Sequence, residues 1–254
     1  IMSNCNKKTI KETFTNKDKI IIYVLLTLIL TAGMTYLDKY VTESYLLKNN
    51  TSNSDKKEPN NSNSNVVYSG KEEITSSKDI DNKEYTSSTI DENAILISGE
   101  VDVNISNSTI TKTGDSSEGD NTSFYGINSA LIAKDKANVT IKNITVETEA
   151  NGANGVFCYG GSATTNNANS DGTTITISDS VITTKKDNSG GIMTTGGGIM
   201  NANNLTITTY GTSSASIRTD RGGGKVTVNG GTYETYGQGS PTIYSTADIT
   251  VSNA

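Results

Sequence analysis

From Ile90 onward one short pattern recurs: two apolar residues separated by one polar residue, with a corner-tolerant residue two positions further on. The apolar pairs are Val103/Ile105, Val139/Ile141, Ile175/Ile177, Leu205/Ile207, Val226/Val228 and Ile249/Val251, spaced by 36, 36, 30, 21 and 23 residues. Strand alternation sends both members of a pair to one face and the residue between them to the other. Those intervening residues are Asn104, Thr140, Thr176, Thr206, Thr227 and Thr250, so five threonines are expected to stack as an outward ladder. The corner positions are Asn107, Asn143, Asp179, Thr209, Gly230 and Asn253, mostly types that tolerate left-handed backbone. After the corner a second inward residue follows at Ile110, Val146, Ile182 and Tyr233, and Thr212 interrupts that column.

A further apolar stretch precedes each pair: Ile95 to Ile97, Leu131/Ile132, Val156/Phe157, Ile192/Met193, Ile217 and Ile243. Each repeat therefore supplies about three short strands separated by corners. A lone strand of this length leaves its backbone groups open, whereas pairing with its counterpart one coil away, about 4.8 Å along an axis, satisfies them. The expected fold is all-β, a parallel β-helix. Composition agrees: at 33% hydrophobic and 6% aromatic, with 24 Gly and no Trp, the chain lacks the large side chains that fill a compact globule.

Ile20 to Leu37, "IIIYVLLTLILTAGMTYL", is uncharged and long enough to cross most of a ~30 Å hydrocarbon core. Lys7, Lys8, Lys11, Lys17 and Lys19 precede it against Glu12 and Asp18, which places the N-terminus in the cytoplasm by the positive-inside bias. The expected organisation is a cytoplasmic tail over 1–19, a transmembrane signal anchor over 20–37, a disordered polar linker over 38–65 and an extracellular β-helix over 66–254. A cleaved signal peptide is the competing reading of the apolar run. Net charge is -6, with no basic stripe outside the first twenty residues, which argues against a nucleic-acid partner. Cys5 and Cys158 fall on opposite sides of the apolar run and cannot pair. With no His in the chain to activate it, Cys158 reads as a small core residue.

The segments "VTIKNITVETEANGANGVFCYGG", "TTITISDSVITT", "SGGIMTTGGG" and "SIRTDRGGGKVTVNGGTYETYGQGSPTIYSTADITVSNA" resemble the right-handed parallel β-helix superfamily with its pectate-lyase-like fold. More closely, they are similar to adhesin-type surface proteins of Gram-positive anaerobic bacteria. The resemblance spans roughly Ile90 to Ala254 and implies a right-handed coil. For activity it implies several things at once, since the fold hosts lyases, hydrolases, adhesins and passive spacers.

"DRGGGKVTVNGGTYET", Asp220 to Thr235, holds the candidate site. Gly222, Gly223 and Gly224 occupy the corner that other repeats fill with Asp135 to Asn138, Asp171 and Gly172, or Asn201 to Asn204, and neither GxxxxGK[ST] nor GxGxxG is present. A structural turn is the expected reading. Arg218 and Asp220 should project to one side of their strand with Arg221 nearby, either as a surface ion pair or as a carboxylate-binding site for a sugar acid. A lyase of this fold would need converging carboxylates for Ca²⁺, and "GDSSEGD", carrying Asp115, Glu118 and Asp120, lacks the spacing of a defined calcium loop. No catalytic residue, metal ligand or cofactor is assigned. The expected function is adhesion or carbohydrate and surface binding at the membrane, with glycans, cell-wall polymer or a host surface as partners. Polysaccharide lyase or glycoside hydrolase is the alternative, and ice or mineral binding by the Thr ladder a third.

Ala254 follows Val251 where the next corner would begin, so further coils are expected beyond it. Residues 66–254 alone are then expected to associate through their last strand edge. Light scattering checks this, and a monodisperse monomer at high concentration counts against it.

Overall fold

A computed structural model describes residues 66–162 and 169–254. The expected tail, transmembrane segment and linker over 1–65 lie outside the described residues. Among the described residues no helix is long and apolar enough to cross a membrane.

Among the described residues the chain winds through six coils of three strand segments and begins another. The first coil holds β1 (Gly70–Ile74), β2 (Lys78–Asp81) and β3 (Glu84–Ser87); the second holds β4 (Asn93–Ser98), β5 (Asp102–Ser106) and β6 (Thr109–Lys112). An insertion with a short helix, α1 (Asn121–Tyr125), leads to β7 (Leu131–Lys134), β8 (Asn138–Lys142) and β9 (Thr145–Thr148). β10 (Val156–Tyr159), β11 (Thr174–Ser178) and β12 (Val181–Thr184) follow. In the next two coils β13 (Ile192–Thr195) is followed by β14 (Gly198–Thr209), and β15 (Ile217–Thr219) by β16 (Gly224–Thr235), where each 12-residue strand runs through the second corner. β17 (Ile243–Tyr244) and β18 (Asp248–Ser252) end the described chain.

Strands pair in parallel between successive coils, giving a seven-stranded sheet, β1-β4-β7-β10-β13-β15-β17, and an eleven-stranded sheet that curls through β14. β16 and β18 extend the second sheet beyond β14. The fold is all-β and β-solenoid-like, as the repeat requires.

Register makes the inward columns explicit. Val103, Val139, Ile175, Met200, Val226 and Ile249 are successive partners, as are Ile105, Ile141, Ile177, Ala202, Val228 and Val251. The fifth coil therefore corrects the sequence reading, because its inward pair is Met200/Ala202 and its corner is Asn204, at φ 50°, rather than Thr209. Leu205 and Ile207 lie after that corner, where Ile207 continues the column of Ile110, Val146 and Ile182 that Thr212 was expected to break. A small Ala in the true pair made the stronger apolar pair beside it align instead. The outward ladder is accordingly Asn104, Thr140, Thr176, Asn201, Thr227 and Thr250, with Asn201 in place of the expected Thr206. One coil also precedes the first pair identified from sequence. There Lys78 stands opposite Val103, so the apolar pair is incomplete and only Ile80 matches.

The corners are built from left-handed residues: Asn82, Asn107, Asn143, Asp179, Asn204 and Asn253 have φ between 50° and 55°. Asn tolerates this conformation and its amide adds a second ladder along the axis. Asn143 Nδ2 donates to Asn107 Oδ1 at 2.7 Å, and Asn107 Nδ2 donates to Asp81 Oδ1 at 2.6 Å.

Ile141 is completely buried in the central coil while Thr140 points to solvent. Ile141→Ala is expected to cost about 2–5 kcal/mol through lost burial and a residual cavity. Thr140→Ala should stay within about 0.5 kcal/mol. Denaturant unfolding of the two variants checks the inward and outward assignments.

Candidate functional site

Adjacent apolar residues in one strand cannot both face the interior. Ile95, Leu131, Val156, Ile192 and Ile217 take the inward positions of the first sheet, which sends the next residue of each strand outward. The outward column runs Glu73, Leu96, Ile132, Phe157, Met193, Arg218 and Tyr244. Its middle members are nevertheless buried, Phe157 and Met193 fully, because the insertion between β6 and β7 folds over them. Gly126, at φ 73°, allows this approach: a Cβ there would come within 2.6 Å of the Phe157 ring and 2.8 Å of Ile132. Hydrogen bonds pin the insertion from outside, with Thr195 Oγ1 donating to the Phe124 carbonyl and Tyr68 Oη to the Tyr125 carbonyl, both at 2.8 Å. The acidic stretch "GDSSEGD" is the first part of this insertion. The signal that marked it was the run of doubled apolar residues, each needing cover on the outer side.

Arg218, Asp220 and Arg221 sit at the rim of this covered region, and the structure does bring them together. Arg218 Nη2 donates to Asp220 Oδ2 at 2.5 Å, and the Arg221 backbone N–H donates to Asp220 Oδ1 at 2.9 Å. Asp220 thus has both oxygens engaged within its own turn. Arg218 also donates to Ser123 Oγ of α1 at 3.4 Å and lies 5.1 Å from the centre of the Tyr244 ring. The Arg218 and Asp220 side chains are 14% and 13% exposed, so the pair is largely desolvated and is not a loose surface contact. Arg221 differs. Its guanidinium lies 4.2 Å from the centre of the Phe124 ring, and among the described residues its side-chain N–H groups have no hydrogen-bond acceptor. Packing on an aromatic face fixes a guanidinium without consuming its in-plane donors.

The three glycines form a turn. Gly222 and Gly223 have φ of 76° and 69°, and they stack on Gly196 and Gly197 of the preceding coil, at 62° and 90°. Gly197 N–H donates to Gly223 O at 3.1 Å, and Gly224 pairs with Gly198. The equivalent corner in the fifth coil is therefore Gly196 to Gly198, not Asn201 to Asn204.

The acidic loop is tied up locally. Asp115 accepts from the Asn151 N–H at 2.8 Å, and Glu118 accepts from Asn121 Nδ2 at 3.0 Å. Asp120 begins α1. Among the described residues no three Asp, Glu or Cys side chains converge as metal ligands. Cys158 is fully buried in the inward column Ile97, Ala133, Cys158, Thr194, Thr219, and burial pushes its thiol up to about 12. A thiol so protonated is not a nucleophile at neutral pH.

The chain matches no known protein family, no curated protein and no solved structure.

Asp220→Ala is expected to lower stability by about 1–3 kcal/mol, since it strands a largely buried guanidinium. Thermal unfolding measures it, and a neutral result would mean that the pair is solvated. In a Cys5→Ser chain, Cys158 should react with an aromatic disulfide reagent only after denaturant unfolds the coil. Full reaction under native conditions would contradict its burial.

Proposed function

We propose that residues 66–254 form a right-handed parallel β-helix that serves as an adhesin or carbohydrate-binding surface module, displayed outside the cell by the apolar segment 20–37. The supporting observation is the outer face of the second sheet. Asn104, Thr140, Thr176, Asn201, Thr227 and Thr250 lie in register there, beside a second outward column of Ser106, Lys142, Ser178, Asn203, Asn229 and Ser252. All are exposed or half-exposed. Hydroxyls and amides repeated at about 4.8 Å along a stiff face offer many weak hydrogen bonds to a polymer laid across them. Both carboxylate oxygens of Asp220 are already engaged within its own turn, which favours binding over catalysis at this rim.

A polysaccharide lyase is the second reading. Arg221 favours it, as a positioned guanidinium with unspent donors that suit a sugar carboxylate.

Glycan and cell-wall-polymer arrays probed with the purified chain test the first reading, and absence of binding to every class would overturn it. Thr176→Tyr with Thr227→Tyr should weaken binding at least about tenfold. Arg221→Ala should leave it unchanged. Incubation with uronate polymers and Ca²⁺, followed in the ultraviolet, tests the second. Unsaturated products that disappear in Arg221→Ala would replace adhesion with lyase chemistry at this rim.

A further inference from the structure

The position after each third strand faces outward and adds nothing to the core. Successive coils fill it with Thr113, Glu149, Lys185, Tyr210 and Tyr236, whose backbone N–H groups donate to the carbonyls of Ser87, Lys112, Thr148, Thr184 and Thr209 one coil back. All five are exposed. Glu149 and Lys185 form an ion pair there, at 3.4 Å. The next two coils place tyrosines instead, and their rings stack, with centroids 5.2 Å apart and planes inclined by 13°. Gly211 and Gly237 follow them, and a Cβ on Gly237 would overlap the Gly211 carbonyl, so the two turns touch through backbone and hold the tyrosines in register.

Tyr210 and Tyr236 are 51% and 64% exposed, which leaves both phenols open to a reagent in solvent. The other tyrosine contacts among the described residues are of another kind: Tyr159 meets Tyr68 at 38° and Tyr125 at 63°, and all three are half-buried beside the insertion. Glu234 precedes Tyr236 by two residues on the same side of the chain, and its Oε2 accepts a hydrogen bond from Tyr236 Oη at 3.1 Å. That bond chiefly, and the carboxylate charge with it, holds the phenol above the ordinary tyrosine range, so it is protonated at neutral pH. A phenol gives up an electron far more easily when its proton has a base to go to, and Glu234 is that base.

We propose that Tyr210 and Tyr236 are a site of oxidative cross-linking, joined ring to ring as dityrosine, with Glu234 receiving the Tyr236 proton. The oxidant is hydrogen peroxide activated by a haem peroxidase. It takes one electron from Tyr236 as the phenol proton passes to Glu234, and one electron from Tyr210 as that proton passes to water. The two phenoxyl radicals pair their odd electrons in a carbon–carbon bond between the ring positions ortho to oxygen. The hydrogens on those two carbons then move to the phenol oxygens and restore both aromatic rings, and Glu234 releases its proton to water. The pair has lost two hydrogen atoms, and one peroxide has become two waters. Rotation of two exposed side chains suffices to bring the ortho carbons together. The bond closes a loop from 210 to 236 and ties the fifth coil to the sixth, which restricts the unfolded chain and stops those coils from parting.

The test treats the full chain, at low concentration, with hydrogen peroxide and a haem peroxidase, followed by tryptic digestion and mass spectrometry. The expected product is peptide 187–218 joined to peptide 226–254, at the sum of their masses less two hydrogen atoms. Tyr210 is the sole tyrosine of the first peptide, and fragment ions should place the bond on Tyr236 in the second, which also holds Tyr233 and Tyr244. The chain should remain monomeric on a denaturing gel and gain the blue fluorescence of dityrosine. Tyr210→Phe and Tyr236→Phe each keep a ring that can stack, and each should abolish the joined peptide. Glu234→Gln should slow its formation severalfold, and an unchanged rate would overturn the role of Glu234. Dityrosine found only between molecules, as covalent dimers, would overturn the proposal, as would a bond through Tyr233 or Tyr244. So would two separate peptides from a mixture that couples free tyrosine.

Discussion

Most strands among the described residues are too short to stand alone, and the fold depends on hydrogen bonding along the axis to the coils on either side. Strands of two to six residues, apart from β14 and β16, have no stable two-stranded form in water. Stacked in register, they share one continuous ladder, and the same registration stacks like on like: isoleucine on valine inside, asparagine on asparagine at the corners. The corner amides depend on this alignment, since Asn143 reaches Asn107 only because both occupy equivalent turns. Loops between strands vary freely in length as long as the register returns, which is why the period shrinks after the fourth coil without disturbing the columns.

Much of this was legible because the interior tolerates few residue types. Val139/Ile141 and Ile175/Ile177 announce a strand with one dry face, and Asn143 and Asp179 announce the turn that follows. Legibility failed where a small residue replaced a large one. Met200/Ala202 fills the same space as its neighbours with less apolar signal, so the alignment slid forward to Leu205/Ile207. It failed again at the first coil, where Lys78 takes an apolar column's place and only Ile80 remains to mark the strand.

The outer cluster was harder to read for a different reason. Which of Val156 and Phe157 faces inward is set by register, and what covers Phe157 is set by a glycine thirty-one positions earlier in the chain, Gly126. No local pattern carries that information. Arg218 and Asp220 fall two positions apart across the end of β15, which puts them on one side, and Arg221 follows in the turn. Their partners, Ser123, Phe124 and Tyr244, come from elsewhere in the coil, and they distinguish the largely buried Arg218–Asp220 ion pair from Arg221, which packs on an aromatic face.

The insertion over the first sheet gives the solenoid uneven resistance along its length. Coils containing β7, β10 and β13 are packed on both faces of that sheet, inside by the main core and outside by α1 and its flanks. In the last described coil the outward residue Tyr244 is 44% exposed, so α1 and its flanks give no such cover there. Local opening draws on whichever segment buries least. Coils without this cover should therefore open more readily than the clamped section, and a pulling force along the axis would peel such turns away singly before it parted the section where the chain is gripped from both sides.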